Sequence, residues 1–456
     1  MLLDLSYLSY PLPPDIQRLY EAGDFARMDR VIRLRLDDPR VPEALKARLR
    51  VQTELAYEIL RAYPYTQAQM LEILQSHVKD FEEEELETLR DDGTLDWRYV
   101  NGEVRFKDNA LSGLLKTRAE YAARATDPEV KNGAKESARQ LHEIIAKMKA
   151  NGGVHARFEL HEQLMIRSDR LTPGETLRVH LPMPIVGAQV KSAALLGASH
   201  PVAFLAPEDE PQRTIYFELP YQPGMTVSAD VAYEIDAPYQ QPHARDVYAE
   251  QPVFDTEEQP PHVVFTPYLR ALAKEIVGDE TNALLKARKI YDFITTQAVY
   301  RFMPPYLTVT NIPEYFLSGL RGDCGVQAIT FVTLCRLCGV PAQWQSGLYT
   351  KPDSAGHHDW ARFYIAPYGW LYADCSFGGS AYRAGALDRW DFYFGNLDPF
   401  RMVANRAFQQ DFDPPMHDLR ADPYDSQSGE VEYDDQSLTY HDFTMNREIL
   451  SWEELS

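Results

Sequence analysis

The apolar residues of this chain change their spacing twice along its length. Over residues 1–150 they recur at helical intervals: Phe25, Met28, Ile32 and Leu36 follow Asp24, a residue type suited to capping a helix, and Leu45, Leu49, Ala56 and Ile59 continue the pattern. Residues 112–126 and 130–149 behave likewise. Between Asp91 and Lys107 the interval tightens, and Trp97, Tyr99, Val104 and Phe106 flank Asn101-Gly102, which predicts a small hairpin. At Asn151-Gly152-Gly153 the period becomes two. Phe158 and Leu160, Leu177, Val179 and Leu181, and Ile215, Phe217 and Leu219 alternate with polar residues between Pro-Gly turns, so residues 154–240 read as a β-sandwich.

A proline-rich, acidic linker, 241–261, follows. Helical spacing returns around Leu269, Leu272 and Ile276 and again from Leu284 to Ile294, and then the pattern mixes. An apolar stretch from Val326 to Leu337 reads as a buried helix stopped by Gly339-Val340-Pro341. Three short aromatic strands come next, 342–349, 360–365 and 369–373. Residues 262–415 thus form an α+β domain within a multidomain α+β chain, whose 456 residues suit several cores. From Asp418 on, eleven Asp or Glu stand against two Arg without sustained periodicity, so 416–456 reads as an acidic tail, with Trp452 and Leu455 able to dock its end over a cleft.

Chemistry concentrates in the α+β domain. Arg321-Gly322-Asp323-Cys324-Gly325 delivers a cysteine to the first turn of the apolar helix, where the positive end of the helix dipole favours a thiolate. His358 opens the second aromatic strand and Asp374 closes the third, so Cys, His and Asp occur in that order within about fifty residues. In a triad the imidazole takes the thiol proton and the carboxylate fixes the imidazole tautomer.

These motifs resemble the transglutaminase-like superfamily of papain-related cysteine enzymes. Gly322-Asp323-Cys324-Gly325 is similar to its nucleophile turn, and Leu334-Cys335-Arg336-Leu337-Cys338-Gly339-Val340-Pro341 to its helix end. His358-Asp359-Trp360 is similar to its His-x-Trp strand, and Gly369-Trp370-Leu371-Tyr372-Ala373-Asp374 to the approach to its acid. The resemblance implies Cys324 as nucleophile, His358 as general acid and base, and Asp374 as orienting carboxylate. Two departures stand out: Cys375-Ser376 replaces the usual Pro-Thr, and Asp359 stands where the family places a small residue.

Several neighbours have plainer readings. His357 competes with His358, but strand alternation lets one of the two meet the sulfur, and the motif selects His358. Cys335 and Cys338 lie inside an apolar helix with no second ligand pair, so no metal and no cofactor is expected. Cys375 reads as packing near the site, and Trp360, Trp370 and Tyr372 as core. The Cys324 backbone N–H is the expected oxyanion donor, with Tyr300, Tyr306 and Asn311 as side-chain candidates.

A net charge of −22 argues against nucleic-acid binding and against an anionic membrane surface. Met1-Leu2-Leu3-Asp4-Leu5 lacks the basic start of a leader, and four cysteines confined to one domain suit a reducing compartment, so the chain reads as cytoplasmic. The expected activity is cysteine-dependent acyl transfer at an amide of a peptide, protein or small molecule through a thioester. Hydrolysis is favoured over transamidation, and a non-catalytic protein-binding module is the reading from another class.

Overall fold

A computed structural model describes residues 5–168, 170–187 and 189–455, the side chains of 129–135 excepted. The Met1–Asp4 stretch read for a leader lies outside the described residues. The fold mixes helices with several sheets.

Residues up to 151 are mainly helical, and local chemistry accounts for their ends. The Asp24 side chain accepts from the Arg27 N–H at the start of helix Phe25–Asp37, while Gly152, at φ 80°, ends helix Glu129–Asn151. Strands Trp97–Val100 and Glu103–Phe106 pair through Asn101-Gly102, both at positive φ.

Two antiparallel sheets follow. One runs Phe204–Leu205, Thr214–Pro220, Thr176–Pro182, Glu430–Tyr433 and Gln436–Ser437; the other runs Val190–Ala198, Thr226–Pro238, Gly153–Ile166 and Phe443–Leu455. Their inward residues, among them Phe158, Leu160, Val179, Phe217 and Val231, are buried in one shared core. The expected acidic tail is therefore corrected: residues after 416 supply strands to both sheets, and Phe443–Leu455 pairs with Gly153–Ile166 along nearly its whole length. Two features of the sequence obscured this. Glu430 and Glu432 are buried strand residues, at 0% and 1% exposure, and the register shifts between Ile449 and Ser451, which breaks the alternation.

Between the strands up to Pro238 and those from Glu430 on, the chain forms a third sheet, ordered Phe394–Gly395, Gly369–Ala373, Ser354–Ile365, Ala342–Lys351 and Arg401–Asn405, with every neighbour antiparallel. Helix Cys324–Leu337, buried from Gly325 through Cys335, packs on it. The return segment, roughly 406–429, then crosses this domain before the chain rejoins the first two sheets, tied down by Ser426 N–H to Asn405 and by Asn405 to Ser346.

Candidate active site

Cys324 is the first residue of its helix. Asp323 caps that helix, its Oδ1 accepting from the Val326 N–H at 3.2 Å and from the Tyr306 hydroxyl at 2.5 Å. Gly325 is required by crowding, because a Cβ there would collide with the Tyr306 hydroxyl and crowd the Asp359 carboxylate. Cys324 is partly exposed, and its Sγ donates to Asp359 Oδ2 at 3.2 Å.

The partner of the sulfur is thus Asp359. The side of the strand decides this. Phe363, which shares the parity of Asp359, contacts Phe331 of the helix, so Asp359 faces the helix. His358 faces away, beside Tyr349, Trp360 and Phe377. There its Nε2 bonds Asp374 Oδ2 at 2.7 Å, and Asp374 also caps helix Cys375–Arg383 by accepting from the Phe377 N–H. Of the three residues expected to converge, the structure joins His358 to Asp374, while no hydrogen bond links Cys324 to His358 among the described residues. His357, the competitor, is exposed and contacts Ser428 and Arg447.

Electrostatics follow this geometry. Burial pushes the Cys324 thiol well above its usual value, and the Asp359 and Asp323 carboxyls push it further, against the opposing Lys116 ammonium. The helix dipole therefore acts with an acid already at the cap, and the thiol keeps its proton. Burial also raises Asp359 strongly, with Asp323 adding to the effect. At His358, burial lowers the pKa and outweighs Asp374, so the imidazole is neutral. Asp374 is fully buried, which alone would raise its carboxyl; His358, Arg401 and the Phe377 N–H overcome burial and hold it below its usual value.

Arg401 is the residue the sequence did not advertise. Its guanidinium, at 0% exposure, bonds Asp374 Oδ2 at 2.9 Å and reaches Asp398 Oδ2 at 3.1 Å. Tyr349 and Phe377 hold it between rings at 4.7 Å each. A polar residue opening a strand gives no sign of this, since Asp374, Tyr349 and Phe377 lie elsewhere in the chain.

The other expectations divide. Asn311 caps helix Ile312–Gly319 by accepting from the Glu314 N–H, and Tyr306 is committed to Asp323, whereas the Tyr300 hydroxyl remains beside the sulfur. Trp360 is fully buried with its N–H on Gln345, and Tyr372 is buried. Cys335 and Cys375 are buried and Cys338 is partly exposed. Among the described residues no group of three or more His, Cys, Asp or Glu is placed to hold a metal ion. None of the described helices is long and apolar enough to cross a membrane. A cleft of about 340 Å³ has Tyr306, Tyr424 and Lys107 in its wall, and it reaches the Cys324 turn only through Tyr306, whose hydroxyl bonds Asp323.

With the geometry in place, residues 270–375, which contain Cys324, His358 and Asp374, match the family description "transglutaminase-like superfamily". This stretch is similar to a transglutaminase-like core. Among solved structures, a Cytophaga hutchinsonii protein with a provisional cysteine-protease assignment is 14% identical, with a TM-score of 0.37 over 66% of this chain and 90% of its own. The periplasmic domain of TgpA from Pseudomonas aeruginosa is also 14% identical, with a TM-score of 0.26 over 52% of this chain and 92% of its own. No curated protein matches the chain.

Proposed function

We propose that the chain catalyses cysteine-dependent acyl transfer at an amide carbonyl, with water as the acceptor, so that the net reaction is hydrolysis. The observation that carries this reading is Cys324, partly exposed at the start of a buried helix, inside the matched core. Cys324 is the nucleophile, His358 the general acid and base, and Asp374 the orienting carboxylate. The thiolate attacks the carbonyl carbon, the carbon–nitrogen bond breaks as the imidazolium protonates the leaving amine, and water hydrolyses the thioester. Residues 1–150 and the two outer sheets, read as a helical domain and a β-sandwich, frame the core and face a peptide, a protein or a small amide.

In this reading the structure is a closed resting state. The thiol keeps its proton and donates it in a hydrogen bond to Asp359, and turnover requires the sulfur to exchange Asp359 for the imidazole. The same contact favours a second reading, a non-catalytic binding module, because a protonated thiol without an imidazole partner is not a nucleophile.

Incubation with a peptide library followed by intact-mass analysis separates the two. An acyl adduct on the wild-type chain, absent in Cys324→Ala, is expected; no adduct under any peptide, with Cys324 inert to mild alkylation, would favour the binding module. Free lysine analogues added as acceptors distinguish hydrolysis from transamidation by the mass of the product.

A further inference from the structure

The charged groups that face His358 come from several elements. Asp374 approaches from the start of helix Cys375–Arg383, Arg401 from strand Arg401–Asn405, and Asp398 from the turn before that strand. Tyr349, on strand Ala342–Lys351, Phe377 and Trp360 close the remaining sides with rings. On its own strand, His357 and Asp359 point to the other face. Asp374, Arg401 and Asp398 are each at 0% exposure and His358 is at 4%, so water screens none of their charges effectively.

The charges can be counted. With a neutral imidazole the group carries two carboxylates and one guanidinium, a net charge of −1. Without the guanidinium it would carry −2 in a site that excludes solvent, and the available proton acceptor is the imidazole. The guanidinium has two further roles. It lets Asp374 stay ionised in full burial, and an ionised Asp374 bonded to Nε2 requires the hydrogen on that nitrogen, leaving Nδ1 with the lone pair.

We propose that Arg401 is a positioning residue that holds His358 as the neutral Nε2–H tautomer, with Nδ1 as the nitrogen able to take a proton. The inference rests on the reading of His358 as the acid and base of the site, and it assigns Arg401 no contact with substrate. The direction in which burial and Arg401 move the imidazole agrees with it, both disfavouring the imidazolium.

The test uses the full chain with histidines labelled for NMR, the His358 signal being identified by its loss in His358→Gln. Wild-type His358 is expected to stay neutral to a pH below ~6.5, the midpoint of a free histidine. Arg401→Met is expected to raise its proton affinity at least tenfold, and Arg401→Met combined with Asp398→Asn, which restores the net charge, to bring it back toward wild type. A folded Arg401→Met chain whose His358 titrates as in wild type would overturn the proposal. Should that variant not fold, Arg401→Gln decides: its amide keeps a polar donor in place of the single guanidinium nitrogen that meets both carboxylates but carries no charge, so an upward shift is expected, and an unmoved titration overturns the proposal equally. The titration is independent of turnover, so expected shifts in a chain that never forms an acyl adduct would sustain the role of Arg401 and sink the proposed activity.

Discussion

The sulfur of Cys324 has its hydrogen bond on a carboxylate, and this sets what the residue does in the resting state. Because burial and then Asp359 and Asp323 raise the thiol, its reactivity should climb with pH and reach half-maximum above the ~8.5 of a free cysteine. Iodoacetamide labelling followed by mass spectrometry checks this, and fast labelling at pH 6 would contradict it. Asp359→Asn removes the carboxyl that holds the thiol proton while keeping a side chain of the same shape. Labelling at pH 7 should then rise about tenfold, the effect of roughly one pKa unit. Sequence reading paired His358 with Asp374, and the structure joins the two. It also expected His358, rather than His357, to meet the sulfur, whereas the structure turns Asp359 toward the helix, because one residue of register exchanges the two faces of a strand. The register of the neighbouring strand itself shifts between Ser346 and Gly347, a detail set by backbone contacts that no residue pattern spells out.

Among the elements, strand Phe443–Leu455 carries more of the structure than its composition suggests. Trp452 packs against Phe158 and Phe400, with ring centroids at 5.9 and 5.8 Å, and so ties the outer sheet to the core. Trp452→Ala should cost about 2 kcal/mol, less than a fully buried tryptophan because its side chain is only partly covered. Urea unfolding measures that loss, and an unchanged midpoint would show that the ring contacts contribute little. Truncation after Asp442 removes the whole strand, leaves Gly153–Ile166 as an unpaired edge, and should yield an insoluble or unfolded product. The elements easiest to read in the sequence were those with local signals: the Asp24 cap, the Asn101-Gly102 hairpin, and the helix stop at Gly339, which lies at φ 77°. Strand Glu430–Tyr433 was hidden because its glutamates are satisfied by distant groups. Glu430 accepts from the N–H groups of Ala421 and Asp422, and Glu432 meets the N–H groups of His417 and Asp418.

Across the whole molecule, the transglutaminase-like core sits between strands that belong together, so the two outer sheets cannot be completed until the chain has passed through it. One titration reports on this closure. Burial raises Glu430 from 4.5 to about 8, against the opposing Arg420 and backbone N–H groups. Between those two values the folded chain holds a proton that the unfolded chain releases, so this group's contribution to stability is lost as pH rises through the window. Melting temperatures from pH 5 to 8 should decline less in Glu430→Gln than in wild type, and parallel curves would show that Glu430 does not take part. The long separation of paired strands also has a temporal side. Gly153–Ile166 leaves the ribosome more than 270 residues before Phe443–Leu455, which at ~5–20 residues per second is roughly a quarter of a minute to a minute. Throughout that interval a long strand waits with one side open, and the growing polypeptide depends on a chaperone, or on its own helical segment, to keep that side from meeting another copy.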